Sequence, residues 1–199
     1  MGDMYHTYAF LSIHLAIVWY TSSMTGKTHA AIGANAVWLL TFTTLSINPL
    51  LVAVGALAAL LPDLDASEST IKHLKVNVGR IRIEPFYLPA LLFSALFKHR
   101  GWLHSATAII IVAILSWLGF SRYDIAVPLV ITLGYASHLL ADACTISGIQ
   151  FFLPIQSELH LLPKPLRIRT GSVIDSVLFA VASLGAVYFV QTHGASIGY

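Results

Sequence analysis

Apolar stretches alternate with short polar breaks along the chain, at about 28–45, 50–61, 86–97, 103–120, 125–142 and 172–190. A helix that spans a bilayer needs roughly 20 residues, with a range of about 17–25. Stretches 103–120, 125–142 and 172–190 meet that length, and 28–45 meets it with a slight extension. Stretch 50–61 is short and spans only with help from its flanks or from local thinning. Stretch 86–97 is also short, and Pro85 and Pro89 frame its start, which predicts an interfacial or re-entrant helix. Pro128 falls in the first turn of its stretch, where a missing N–H does little harm. There is no internal repeat and no low-complexity tract. The pattern predicts an all-α fold: a polytopic integral membrane helical bundle with about 4–5 transmembrane helices plus one or two short interfacial or re-entrant helices.

Residues 1–23 stand apart. Ala9 to Tyr20 is apolar but too short to span, and no basic segment precedes it, so it makes a poor secretory signal. Met24-Thr25-Gly26-Lys27 looks like a second start. The division expected is an N-terminal extension over 1–23, a dispensable stretch or an extra amphipathic anchor, and one membrane-embedded domain over 24–199.

Composition sharpens the picture. Of 199 residues, 57% are hydrophobic and only 10% charged, above the usual globular apolar content, so lipid is the economical cover for the outside. The net charge of +2 is too small to imply nucleic acid, and no basic run is interleaved with aromatics. The single cysteine, Cys144, leaves no internal disulfide and no cysteine-based zinc ribbon.

Basic residues set the topology. Lys27, Lys72, Lys75, Arg80, Arg82, Lys98, Arg100, Lys164, Arg167 and Arg169 precede stretch 28–45 or lie in the two long connections; only Arg122 lies in a short turn opposite. With 28–45 outward, 50–61 inward, 103–120 outward, 125–142 inward and 172–190 outward, ten of the 11 share one face. The positive-inside rule makes that face cytoplasmic. The same assignment brings His29, Asp63, Asp65, His99, His104, His138 and Asp142 to one level. Ionisable groups in lipid are costly unless they pair, bind metal or face water, so such a cluster reads as functional.

Each constellation has a local reading and a bland alternative. His138-Leu-Leu-Ala-Asp142 has i,i+4 spacing, so both side chains project from one helix face and can grip one ion; alone, such a pair is more often just hydrogen-bonded. Pro62-Asp63-Leu64-Asp65 puts two carboxylates just past a helix, as ligand, bridge, orienting group or general base, or as solvated acids of a terminal turn. In His99-Arg100-Gly101-Trp102-Leu103-His104-Ser105, Gly101 permits a bend that brings two imidazoles together, and Arg100 can clamp an anionic oxygen. Ser105 caps locally or touches substrate. Glu158, His160 and Asp175 are secondary candidates; the first two lie in a proline-rich connection, 154–165, that serves as a lid or a solvated loop. The hydroxyls of Tyr135, Ser137 and Thr145 supply contacts near the site or simply pack.

A donor set of imidazole and carboxylate suits zinc, manganese or iron, and seven candidate ligands exceed what one tetrahedral zinc needs, so two or more ions are expected. Paired metals activate water and stabilise the oxygens of a phosphoester undergoing hydrolysis. His-Glu-x-x-His, Gly-x-Ser-x-Gly and a Walker loop do not occur, which counts against zincin proteases, serine hydrolases and nucleotide hydrolases.

At these residues the chain resembles the YdjM-type membrane-bound metal-dependent hydrolases of bacteria and archaea. The matching series is Met24-Thr25 with His29, Leu61-Pro62-Asp63-Leu64-Asp65, His99 to Ser105, and Gly134-Tyr135-Ala136-Ser137-His138-Leu139-Leu140-Ala141-Asp142, then Thr145, Gly148, Pro154 and Leu162-Pro163. The resemblance covers roughly residues 24–190. It implies a small polytopic inner-membrane protein whose His and Asp residues bind catalytic metal. More distantly the family looks like zinc-dependent phospholipase C and the single-strand-specific zinc nucleases, which suggests phosphoester chemistry. Leu103 stands where the family often has Thr, Asp175 where Glu is common, and residues 1–23 have no counterpart.

The expected function is a membrane-bound metal-dependent hydrolase that cleaves a phosphoester in a lipid or other amphiphile at the cytoplasmic face. Asp63 or Asp65 would orient or deprotonate the water, and Arg100 would hold phosphate. The bilayer and the amphiphilic substrate are the partners, with no nucleic acid. An ion or proton transporter needs polar residues strung through the bilayer depth. A metal-locked structural or regulatory protein needs only four ligands. These are the alternatives.

Overall fold

The structure is a computed structural model that describes residues 26–45, 48–65, 76–78, 81–83, 102–152, 155 and 157–193, with Asp65, 76–78 and 81–83 described in their backbone alone. The expected extension over 1–23, His99, Arg100 and the stretch 86–97 lie outside the described residues.

Helix α1, Gly26–Ala34, continues directly into a 3-10 segment, Asn35–Phe42. The stretch expected as one span over 28–45 is thus two helical forms joined at Asn35. The Asn35 amide donates to the carbonyls of Ala31 (2.7 Å) and Ala182 (2.8 Å), while its oxygen accepts from the Trp38 indole at 3.1 Å. A side chain bonded back to the preceding turn competes with the regular ladder, the usual setting for a change of helical form. Helix α2, Pro49–Ala58, starts where Asn48 accepts from the Leu51 amide (3.2 Å) and Pro49 occupies the first turn. It ends before a 3-10 turn, Leu61–Asp65.

The expected all-α fold holds for the bundle, with one addition among the described residues. Val76–Val78 (β1) and Ile81–Ile83 (β2) form an antiparallel hairpin with Val76 opposite Ile83 and Val78 opposite Ile81. The alternation Val-Asn-Val and Ile-Arg-Ile, β-branched at every second position, is the pattern that favours a strand.

A 3-10 turn, Trp102–His104, leads into α3, Ala106–Phe120, which begins three residues later than the expected stretch because Ser105 caps it. Helices α4, Ala126–Ala143, and α5, Val173–His193, match their expected stretches to within a few residues. Between them, Thr145 pairs with Ile168 and Ile149 with Leu159, and the Leu161 amide donates to the Ala143 carbonyl (2.8 Å), folding the connection against the end of α4.

Helix α4 is the centre of the bundle, packed against α1, α2 and α3. Three of these helices meet backbone to backbone at glycines. A Cβ on Gly55 would fall 2.4 Å from the Gly33 carbonyl oxygen, and one on Gly134 2.6 Å from the Gly55 oxygen. Small residues at such crossings let helices approach where lipid supplies little hydrophobic drive. Helix α5 packs mainly on α1, with Gly185 facing Asn35.

The outside is apolar. Ile110, Ile111, Ile114, Leu115 and Leu118 of α3 and Val173, Ile174, Val177, Val181, Leu184 and Val187 of α5 are all exposed. Helices α4 (18 residues) and α5 (21 residues) are long and apolar enough to cross a membrane, and only 11% of the apolar stretch of α5 is buried within the protein. At about 1.5 Å per residue α5 reaches roughly 31 Å, the thickness of the hydrocarbon core. A surface of this kind suits lipid.

Candidate metal centre

Four elements deliver five polar side chains to one place. His29 comes from the first turn of α1, Asp63 from the turn after α2, His104 from the turn before α3, and His138 and Asp142 from successive turns of α4. His104 and His138 are fully buried, His29 and Asp142 nearly so, while the Asp63 side chain is 21% exposed.

The separations are tight. His104 Nε2 lies 3.3 Å from His138 Nε2, 3.5 Å from Asp142 Oδ2 and 3.7 Å from Asp63 Oδ1. His138 Nε2 is 3.6 Å from both Asp63 Oδ1 and Asp142 Oδ2. The other Asp142 oxygen, Oδ1, stands 3.3 Å from His29 Nε2, and the His29 ring stacks on that of His138 with centroids 3.8 Å apart. Two overlapping triads result, His29–Asp63–His138 and His104–His138–Asp142, each with its ligand atoms within 4.8 Å of one another.

Protonation decides what these distances mean. His138 Nδ1 is 2.7 Å from the Ala59 carbonyl oxygen. A carbonyl only accepts, so Nδ1 carries the hydrogen, and Nε2 of the neutral ring is a bare lone pair. That lone pair faces two carboxylate oxygens and a second imidazole nitrogen. The lone pair and the two carboxylates are acceptors facing one another, an arrangement that is repulsive unless a cation or a proton lies among them. Ligands about 2.0–2.1 Å from a four-coordinate zinc stand roughly 3.3 Å apart, close to the separations found. The donor set therefore fits a divalent metal. The Nδ1–H bond to a backbone carbonyl is also the outer contact that metal-binding histidines ordinarily make. Asp63 lies beyond the end of α2. Burial pushes its carboxyl up, but the His104 imidazole 3.7 Å away and the nearby His138 and His29 rings outweigh that and hold it below the ordinary carboxylate value.

Of the seven proposed ligands, five meet here; Asp65 sits in the same turn as Asp63, and His99 is outside the described residues. Ser105 is committed to the turn: its hydroxyl donates to the Trp102 carbonyl (2.7 Å) and accepts from the Ala108 amide (3.3 Å). The secondary candidates lie elsewhere. Glu158 is exposed, and His160 bonds the Ile146 carbonyl (3.1 Å) against Gly148, whose φ of +61° a side chain would strain. Asp175 caps α5, accepting from the Gly171 amide (2.9 Å) while Ser172 accepts from the Asp175 amide. A cavity of about 300 Å³ beside α4 is lined by apolar side chains, among them Ile109, Leu140, Ala143 and Phe151, and offers no reacting group. Two features escaped the sequence reading. The Ala59 carbonyl leaves no trace in a side-chain pattern, whereas the glycine crossings had one, in small residues within apolar stretches.

The chain is 31% identical over 167 residues to Uncharacterized protein YvsG of Bacillus subtilis (strain 168), an alignment that takes in 83% of this chain and 94% of that protein. No solved structure matches. The model of the family described as YdjM inner membrane protein matches residues 24–198, starting at Met24. With a match of that extent, from His29 through Asp142 and beyond, this chain belongs to the YdjM inner membrane protein family.

Proposed function

We propose that this protein is a multi-pass, metal-dependent hydrolase that cleaves a phosphoester in a lipid or other amphiphile at the cytoplasmic face of the membrane. The observation that carries the metal is the lone pair of His138 Nε2 set among the oxygens of Asp63 and Asp142 and the nitrogen of His104. When bound, a divalent cation of the zinc, manganese or iron kind would polarise water and offset charge on the phosphoester oxygens. His104, His138, Asp142 and Asp63 would hold one ion, and the second oxygen of Asp142 facing His29 gives room for another.

Chemistry needs an open side. Asp63 is the one member of the cluster with appreciable exposure, so substrate and water would enter there. Its carboxylate, held in the charged form, is placed to orient the attacking water or take its proton. Arg100 would clamp the phosphate: it lies four residues before His104 in the chain, and its planar guanidinium can meet two phosphate oxygens at once. Phosphoester chemistry rests on the distant resemblance to zinc-dependent phospholipase C. The cytoplasmic side rests on the distribution of Lys and Arg, and four to five crossings follow if α1 with its 3-10 extension, α2 and α3 span together with α4 and α5.

A metal-locked structural site is the second reading, favoured by the burial of the other four donors. Metal analysis of detergent-purified protein, run beside a panel of phosphatase and phospholipase substrates, separates the two. Bound metal with turnover, both lost in His104→Ala and Asp142→Ala, is the expected result. Bound metal without turnover of any phosphoester would leave the structural reading standing.

A further inference from the structure

The turn Trp102–His104 is only three residues long, yet it must hold the His104 ring within 3.3 Å of His138. Such a turn has no helical ladder to fix its height against α4. Its own bonds, Ser105 Oγ and the Ser105 amide to the Trp102 carbonyl, stabilise its local form without tying it to α4. A direct tie to α4 comes from Tyr135. This ring is buried to 1% exposure on the α4 face that one turn later carries His138, and its hydroxyl donates to the Leu103 carbonyl at 2.6 Å, across 32 residues of sequence. The bond ends on the residue immediately before His104. A second bond of the same kind joins His138 Nδ1 to the Ala59 carbonyl, just ahead of the turn that bears Asp63. Both ligand-bearing turns therefore hang from α4 through a buried hydrogen bond to a backbone carbonyl.

We propose that Tyr135 is a positioning residue: its hydroxyl, through the Leu103 carbonyl, sets where the His104 imidazole stands relative to His138 and Asp142. The phenol does not join the ligand group. It acts one residue away, and its effect should appear as metal affinity rather than as fold. The inference rests on the metal-binding reading above.

Tyr135→Phe keeps the ring and removes the donor. Zinc affinity of the detergent-purified, metal-stripped protein is measured by competition with a chelator. Loss of an outer contact of this kind weakens metal binding by about 10–100-fold, and that is the expected range for Tyr135→Phe. Asn35→Ala, which loosens α5 rather than the turn, should melt lower yet leave zinc affinity within about twofold. In a His104→Ala background, Tyr135→Phe should bring no further loss, because its action passes through that imidazole. Genetic incorporation of 4-aminophenylalanine at 135 restores a donor and should recover most of the affinity. It also serves if the phenylalanine variant does not fold. A second measurement needs no metal: in the stripped protein, the His104 ring resonances should shift in Tyr135→Phe while those of His29 stay. Wild-type protein that binds no zinc would defeat the proposed function, and the resonances would still decide the role of Tyr135. Unchanged zinc affinity together with unmoved His104 resonances overturns the inference, as does an equal loss in the His104→Ala background.

Discussion

Replacing Gly55 with alanine should break the bundle at the point on which the site depends. In a helix interior, alanine is ordinarily the better residue by about 0.8–1.0 kcal/mol. At Gly55 the sign should reverse. The new methyl would sit 2.4 Å from the Gly33 carbonyl oxygen and 3.2 Å from Val130 Cγ1, and the oxygen belongs to backbone that cannot rotate away. Ordinary contact begins near 3.4 Å, so α1 and α2 must part by about 1 Å, and forced overpacking of this sort costs about 1–3 kcal/mol. Gly33 lies one turn after His29 on α1, and Gly134 one turn before His138 on α4. A displacement of that size is comparable with the whole margin by which separations of 3.3 to 3.7 Å fit one ion. Gly119 is the control, since a Cβ there meets nothing within 4 Å. Unfolding in detergent–denaturant mixtures should show Gly119→Ala at or above wild type and Gly55→Ala below it. Zinc titration should show weaker binding in Gly55→Ala alone. Equal stability and equal zinc affinity for Gly55→Ala and Gly119→Ala would refute the claim that the glycine crossing fixes the ligands.

Acid should release the metal: zinc affinity, titrated from pH 8 to 5, should fall as protons compete with the ion for the imidazole nitrogens. Asp63, held below the ordinary carboxylate value, stays charged through that window, so a midpoint near 4 instead would point away from the histidines as ligands. Asn35→Ala should cost about 0.5–1.5 kcal/mol in the same unfolding assay, because the hydrogen bond between α1 and α5 is lost while the Ala182 carbonyl keeps its place in the helical ladder, and a wild-type curve would mean the α1–α5 clamp carries no energy. Reporter fusions after residue 80 and after residue 165 should both read cytoplasmic and one near Arg122 the opposite side; a cytoplasmic reading at Arg122 would reverse the proposed topology.

The sequence made some of this legible and hid the rest for identifiable reasons. His138 and Asp142 could be paired from spacing alone, because i,i+4 geometry is a property of the helix itself. His29, Asp63 and His104 were brought to the same level by the alternation of apolar stretches and by the bias of Lys and Arg, which report direction of travel but not distance. Whether side chains at one level touch depends on how closely the helices pack, and that is set by Gly33, Gly55 and Gly134, whose signal is a missing side chain. The switch to 3-10 form at Asn35 was hidden for a similar reason: the amide that bonds back to Ala31 is also held by Ala182, a partner 147 residues away. The strands at 76–78 and 81–83 did have a local signal, but three-residue alternations are shorter than the runs of about four to eight residues that mark a strand.

Helix α4 explains why so short a chain can hold a site made from four elements. It supplies His138 and Asp142, receives α2 at Gly134, and through the His138 ring and the Tyr135 hydroxyl it holds the two turns that bear Asp63 and His104. The flanking elements are each brought to α4, and α1 and α2 are also brought to one another at Gly33 and Gly55. Helix α5, the longest of the described helices, meets the site mainly by way of α1. Its length and exposure suit it to the lipid boundary, while α4, half buried, is the one long apolar helix that must also be chemically specific. That division accounts for the sequence of α4: an apolar run interrupted at Gly134, Tyr135, His138 and Asp142, each of which lies on the inward face and makes a contact that a leucine could not.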